Sequence, residues 1–473
     1  MRYKRLDNHD IEMLKGLTAP DRFSTGESVK TLHARDQSRH VCMLPEAVLW
    51  PLNESEVSNI LKHANEQRIP VTAWGAGSSL EGNPLPVFGG IVLDFSMMNR
   101  VLDIREEDFQ ADVEPGVIYK ELNRKLKHRG LFFAPDPGAD ATIGGMIANN
   151  SSGIRTVKYG ATRANILRLS VVLANGEIIK TGTRASKTSS GYDLINLITG
   201  SEGTLGIVTG ATIRLRGLPA ESSAAIASFP SIEKAGNAVF EIMKYGLDPA
   251  ALELLDRECV KLINRNRDMG LEEEPTLFME FHGPSVNYLS EVMDAAKEFC
   301  LGNGCINFSS GIGRDERDNF FSARHHLSEM IVQNHPGYSF LSGDTAVPVS
   351  AYPEIIALAR EEIKKSEITA YIFSHAGDGN LHLKFAGRKG DKEEWQAIDE
   401  INHRIISKAI SLDGTATGEH GVGIGKRAFM AEEHGNSLIW MKKIKELFDL
   451  NGILNPGKIF PDYDLHSNPL GLP

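Results

Sequence analysis

The stretch WGAGSSLEGNPLP, from Trp74 to Pro86, restricts the choice of fold more than any other part of this 473-residue chain. It follows an apolar run and begins Gly-x-Gly, as a dinucleotide-binding turn would. The Rossmann fingerprint, however, needs a third glycine three residues on and a helix opening there. Here Gly75 and Gly77 are followed by Gly82, and then by Asn83, Pro84 and Pro86. No helix start accommodates prolines in that series, so the doubly wound dinucleotide fold is excluded. What remains is a strand ending in small residues, whose backbone N–H groups and the Ser78 and Ser79 hydroxyls can nest around a pyrophosphate. A tight surface loop is the other reading. Two further stretches bear on that choice: PDPGADATIGGMIANNSSGIRTVKYG (Pro135–Gly160), and GSEGTLGIVTGATIRL (Gly200–Leu215), which sets Gly203 and Gly206 before an apolar strand. Three loops of small residues, which let backbone approach a ligand closely, imply a large, flat, phosphate-bearing ligand.

Around these loops the chain reads as α+β. From about Ala47 to Leu218, AVLWPL, IPVTAW, GIVLDF, FQADVEP and LRLSVVLANGEIIK are expected strands, with amphipathic helices over Glu54–Gln67 and Val117–Arg129. From about Glu221 the pattern changes to strand–helix–strand units. AAIASF, Ile232–Tyr245 and AALELL form the first; LFMEF, Val286–Leu301 and CINFSS the second; TAVPV, Pro353–Lys365 and AYIFS the third. Such units predict an antiparallel sheet backed by helices, ferredoxin-like in arrangement. The tail LIWMKKIKELFDLNGILNPGKIF is an amphipathic helix stopped by Asn-Gly and a proline turn. The expected domains are 1–218 (core 44–218), 219–435, and a C-terminal segment 436–473 returning to the first.

A net charge of −11 argues against nucleic-acid binding. Cys42, Cys259, Cys300 and Cys305 are scattered without metal-finger spacing, which fits reduced thiols. No apolar run is long enough to span a bilayer, and the first residues suit neither a secretory signal nor a transit peptide. A cytoplasmic protein, free or peripheral to a membrane, is expected.

In SHAGDGNLHLKF (Ser374–Phe385), His375 and His382 lie seven residues apart around Gly-Asp-Gly-Asn. In one straight strand that odd spacing would send the rings to opposite faces. A strand–turn–strand, with the glycines in the turn, would bring both imidazoles to one point. Asp378, between them, reads as a turn former.

The three small-residue loops, in this order, resemble the FAD-binding domain of the vanillyl-alcohol oxidase/p-cresol methylhydroxylase superfamily. HAGDGNLH, TGEHGVGIGKR and LFDLNGILNPGKIF are similar to its branch of D-lactate dehydrogenases, glycolate oxidase catalytic subunits and D-2-hydroxyglutarate dehydrogenases. The resemblance covers nearly the whole chain. It implies a two-subdomain FAD-binding domain, a ferredoxin-like substrate (cap) domain carrying a metal site, and a C-terminal helical segment that returns to the flavin.

Carried onto this sequence, it implies FAD pyrophosphate at Gly75, Ala76, Gly77, Ser78 and Ser79. Further flavin contacts would fall at Pro137, Thr142, Gly145, Asn149, Ser152, Gly153, Glu202, Gly206, Ile207 and Val208, with Asn455 closing over the isoalloxazine. No histidine lies between His63 and His128, so the FAD is expected to be non-covalent. His375, His382 and Glu419 are the implied ligands of a divalent metal, a donor set suited to zinc, manganese or iron, and His420 the implied base. Arg324, in NFFSARHHLSEM, is the implied carboxylate-binding arginine, unless it is a solvated helix residue; Ser328, one helical turn on, is expected to assist.

Two positions depart from parts of the branch. Ser342, in LSGDTAVPVS, stands where the hydroxyglutarate members carry a lysine, which weakens the expectation of a second substrate carboxylate. Lys384, two residues beyond His382 on one strand face, either adds positive charge to the pocket or snorkels to solvent. The expected reaction is oxidation of a D-2-hydroxy acid, D-lactate first, to the 2-oxo acid, with electrons passed to a quinone, a cytochrome or an electron-transfer flavoprotein. Glycolate is the near alternative, and an FAD transferase of the alkylglycerone-phosphate synthase type the alternative of another class. Partner subunits or a homo-oligomer stay open.

Overall fold

A computed structural model describes residues 3–267 and 269–461. The chain divides into two compact units. One comprises Met1–Ser152, Ala161–Leu218 and Glu419–Pro473; the other comprises Gly153–Gly160 and Pro219–Gly418. The chain thus crosses back at Gly418/Glu419, where sequence patterning set the change at 435. The Gly153–Gly160 excursion has no counterpart in that reading. Residues 462–473 of the expected C-terminal segment lie outside the described residues.

The first unit holds two main sheets. Val71–Trp74 and Ala47–Leu49 both pair in parallel with Ile91–Asp94, in a four-stranded sheet completed by Phe23–Ser24. The second sheet is five-stranded and antiparallel, in the order Val101–Arg105, Gln110–Val113, Ile207–Arg214, Ile166–Val172, Ile178–Gly182. The helix Glu54–Gln67 has the expected bounds because Asn53 accepts from the Glu56 N–H at its start and Arg68, left-handed at φ 57, ends it. It buries Val57, Ile60, Leu61 and Ala64 on the first sheet's core with Ile91, Leu93 and Leu454. The tail helix, Ser437–Phe448, joins this unit through Lys445, whose Nζ donates to the carbonyls of Thr204 and Leu454.

The second unit is one seven-stranded sheet, antiparallel throughout. Its order is Asn307–Ile312, Glu221–Ser228, Thr276–Gly283, Ala251–Leu255, Thr369–His375, Asn380–Arg388, Tyr338–Ala346. The helices Ile232–Tyr245, Val286–Gly302, Tyr352–Ser366 and Lys392–Ser411 supply the core on one face, around Phe229, Phe281, Tyr352 and Phe385. A second apolar layer, with Phe278, Phe321 and Leu327, lies on the other. The strand expected over TAVPV ends at Ala346, because Pro348 has no N–H to extend a ladder and Val349–Ala351 turns into the next helix. Among the described residues no helix is long and apolar enough to cross a membrane.

Candidate functional site

The histidine stretch folds back as its glycines require. The strand ending at His375 runs into a 3-10 turn, Ala376–Asp378, and returns from Asn380. Asp378 sits in that turn. Gly379 takes φ +68 with the Val347 carbonyl where a side chain would start, so only glycine fits. The register pairs His375 with Asn380 and Phe373 with His382. The two histidines are therefore diagonal neighbours on one face, with ring centroids 5.0 Å apart and planes at 88°.

A carboxylate faces each ring. Glu253 stands opposite His375 on the adjoining strand, with Oε1 2.7 Å from Nδ1. Asp344 stands opposite His382, its Oδ1 3.8 Å from Nδ1. Asp344 also accepts from Asn380 and from the Thr417 hydroxyl, both at 2.8 Å. Glu253 is fully buried. Burial by itself would raise its pKa, but His375 and Arg324 outweigh that and hold it below the ordinary carboxylate range.

Arg324 is not a solvated helix residue. Its Nε and Nη2 point to Oε2 of Glu253, at 2.8 and 2.7 Å, and its guanidinium lies over the Phe373 ring. Contrary to expectation, it does not share a helix with Ser328. One helix, Arg314–His325, ends before His326, and Leu327–Asn334 begins a second. Ser328 is met instead by Lys384, which does not snorkel: it is 8% exposed, donates to Ser328 Oγ, and lies 5.5 Å from the Phe340 ring. Burial pushes its pKa down to about 8. Ser342 faces it across the strand pair.

In the first unit the three loops converge. A Cβ at Gly75 would run into Thr142 Oγ1, and one at Gly77, φ +64, would lie 2.6 Å from the Trp74 ring. Thr142 caps the helix Ile143–Asn149 by accepting from the Gly145 N–H at 3.2 Å. Asn455 donates to the carbonyls of Asn83 and Glu202, at 2.9 and 2.7 Å, and so ties the first loop to the third. Ala76, Ser78, Ser79 and Pro137 are at least partly exposed on their loops. Gly206 lies against Val171, and Ile207 is buried in the first core, which leaves its backbone rather than its side chain for a ligand. Gly153 belongs to the second unit.

Several of the expected flavin contacts also hold the GEHGVG segment. Ser152 donates to Glu419 at 2.8 Å, and Asn149 donates to the His420 carbonyl at 3.4 Å. Glu202 accepts from the N–H groups of Val422 and Gly423, at 2.6 and 2.9 Å. Burial raises the Glu202 pKa despite those bonds. Nδ1 of His420 lies 3.9 Å from Glu81, which also faces Lys426 at 3.5 Å.

Sequence reasoning passed over Glu253, Asp344 and Glu81. The signal for Glu253 was present: it is the one charged residue in the otherwise apolar strand AALELL, and a charge there needs a partner. Asp344 and Glu81 sit in polar loops or strand ends, where a carboxylate stands out from nothing around it.

Residues 45–182 match a model described as FAD binding domain, and residues 218–459 one described as FAD linked oxidases, C-terminal domain. A probable mitochondrial D-lactate dehydrogenase of Danio rerio is 38% identical over 95% of this chain and 91% of its own. The glycolate oxidase subunit GlcD of Bacillus subtilis is 35% identical over 95% and 96%. The solved structure of p-cresol methylhydroxylase superposes with TM-score 0.77 over 96% of both chains at 16% identity, a likeness of fold. Loops and matches together define an FAD-dependent oxidoreductase. The chain belongs to the FAD-linked oxidases, within the vanillyl-alcohol oxidase/p-cresol methylhydroxylase superfamily.

Proposed function

We propose that this protein oxidises a D-2-hydroxy acid to the 2-oxo acid with FAD and a divalent metal, and passes the electrons to a quinone, a cytochrome or an electron-transfer flavoprotein. The observation that carries the reading is the histidine hairpin with a carboxylate facing each ring, in a chain whose relatives are named for D-lactate and glycolate. D-lactate is the first substrate to test, and the similarity to a glycolate oxidase subunit makes glycolate the second.

The residues fit both groups. Gly75 and Gly77 leave a cradle that side chains would fill, beside the capped start of a helix, which suits a pyrophosphate. Two neighbouring imidazoles, of which His375 is held by Glu253 through Nδ1, belong to a metal donor set; His375 and His382 would hold the ion, with Glu419 as the carboxylate ligand. When bound, FAD supplies the hydride acceptor, and the cation supplies positive charge that makes the substrate hydroxyl more acidic.

The protein's own part is position and proton transfer. Arg324, pinned by Glu253, presents the rest of its guanidinium to the substrate carboxylate. His420 takes the hydroxyl proton as C2 is oxidised. Ser152, Asn149 and Glu202 hold the segment that carries it. Ser328 and Lys384 complete the substrate-binding set.

The test is anaerobic mixing of FAD- and metal-replete protein with D-lactate, L-lactate or glycolate, following flavin absorbance. Bleaching by D-lactate or glycolate that a chelator abolishes is expected. Its absence with every 2-hydroxy acid, FAD and metal verified, would overturn the reading.

A further inference from the structure

The seven-stranded sheet of the second unit has two edges, and they are finished differently. At the edge strand Tyr338–Ala346, the Thr415 N–H donates to the Ala346 carbonyl at 2.8 Å and closes one end. Among the described residues nothing pairs with the outer side of the other edge strand, Asn307–Ile312. Its inner ladder fixes which groups are left over. The Gly313 N–H donates to the Ser222 carbonyl at 2.7 Å, and alternate residues of an antiparallel strand bond to the same neighbour. Asn307, Ser309 and Gly311 therefore bond inward to Glu221–Ser228, while Phe308, Ser310 and Ile312 turn their N–H and C=O groups outward. The strand, NFSSGI, has no charge and no proline, the residues that commonly keep an exposed edge from pairing. Its surroundings are apolar. Ile306, just before the strand, is more than half exposed, as are Val286 and Leu301 on the helix Val286–Gly302 that packs against it. Phe299 of that helix turns the other way, its ring 5.0 Å from that of Tyr245. At about 100° per residue, Val286, Ser290, Lys297 and Leu301 form the opposite stripe, along the open edge.

We propose that this edge pairs with the same edge of a second copy of the chain, about a two-fold axis at Ser310, to make one continuous sheet. The strand is its own electrostatic complement there. Ser310 meets Ser310 of the second copy and Phe308 meets Ile312, so each outward N–H, partially positive, lands on a partially negative carbonyl. No ionised side chain on the strand opposes the fit. Phe308 and Ile312 pack with the core on the helix-bearing face, and Ser310 shares their side of the strand. The cross-strand pairs thus join an aromatic to a β-branched residue, a favourable combination. Both copies of the helix Val286–Gly302 come onto one side of the joined sheet, and their facing stripes carry a single charge each, Lys297.

Sedimentation of the FAD-loaded protein at micromolar concentration is the first test, and a mass twice that of the chain is expected. Ser310→Lys sets two ammonium groups against each other at the axis. It should weaken the dimer tenfold or more and leave the flavin content unchanged. Ser310→Cys tests the register, because the Cα atoms of such a pair lie about 5.5 Å apart, within disulfide reach. With oxidised glutathione the two facing thiols should join as one disulfide, their two protons and two electrons passing to the oxidant, which leaves as two molecules of glutathione. Ser309→Cys, on the other face and out of register, should cross-link no more than the wild type with its exposed Cys42. A monomeric wild type would overturn the proposal. So would a dimer that Ser310→Lys leaves intact, or a Ser310→Cys protein that cross-links no faster than Ser309→Cys.

Discussion

Glu253 joins His375 to Arg324. One of its oxygens lies 2.7 Å from Nδ1 of the imidazole, and the other accepts from two nitrogens of the guanidinium. A single buried carboxylate therefore orients a proposed metal ligand and a proposed substrate anchor. Outer carboxylates of this kind typically change metal affinity by about 10–100-fold. Glu253→Gln should keep its FAD and lose divalent-metal affinity by that order, as read by metal content after dialysis against a competing chelator. Glu253→Ala leaves the Arg324 guanidinium largely buried without its acid and should cost about 3–5 kcal/mol in denaturant unfolding. A Glu253→Gln protein with wild-type metal content and substrate KM would remove Glu253 from the site.

His420 carries the proposed proton transfer. His420→Asn should load FAD normally, yet be reduced by its 2-hydroxy acid about 10²-fold more slowly or worse. Stopped-flow flavin bleaching reads this directly. An undiminished rate would point to a protein that binds flavin and metal without using this histidine as a base.

The proposed flavin cradle should be sensitive at Gly75, and flavin loading insensitive at a glycine without neighbours. Gly75→Val puts a branched side chain where Thr142 Oγ1 lies, so the purified protein should have a reduced flavin-to-protein absorbance ratio. Gly16, in the helix Asn8–Leu17, has nothing within 4 Å of a new Cβ. Gly16→Ala should keep the flavin and stabilise by up to about 1 kcal/mol. Equal flavin loading in the two variants would argue against the Gly75 loop as the pyrophosphate site.

Lys458 makes stability depend on pH. It is fully buried, with Nζ donating to Leu85 and Asn455. Burial pushes its pKa down to about 7, against the pull of Glu202. Above that pH, and up to the ordinary lysine value of 10.5, the unfolded chain holds a proton that the folded chain lacks, so stability rises with pH across this window. Below about 7 both states are protonated, and the full cost of burying the charge is felt. Thermal unfolding from about pH 7 to about pH 9 should show this rise in the wild type and a flatter profile in Lys458→Met. Parallel profiles would mean that Lys458 keeps its proton.

Local chemistry was readable wherever a residue acts within its own segment. Asn53 and Ser231 begin their helices where the sequence places them, because a capping side chain bonds to a backbone N–H three residues on. The turn at Gly379 was legible for the same reason, since a left-handed residue, here at φ 68, favours glycine whatever surrounds it. Ser328 was misplaced because the helix breaks at His326, and no residue type near that point marks a break.

Sequence by itself determined the three small-residue loops, the alternation that makes one unit a layered antiparallel sheet, and the histidine hairpin. Each follows from periodicity, glycine conformation or spacing, which are short-range properties. Tertiary structure decided which acids face those histidines, and that Lys384 is buried rather than snorkelling. It also decided that Glu202 holds a distant loop by its backbone N–H groups. These depend on strand order and register, set by how the whole apolar surface packs, and Glu253 reaches His375 across 122 positions of chain. Local pattern places a charge on a strand face; only the packed sheet supplies its partner.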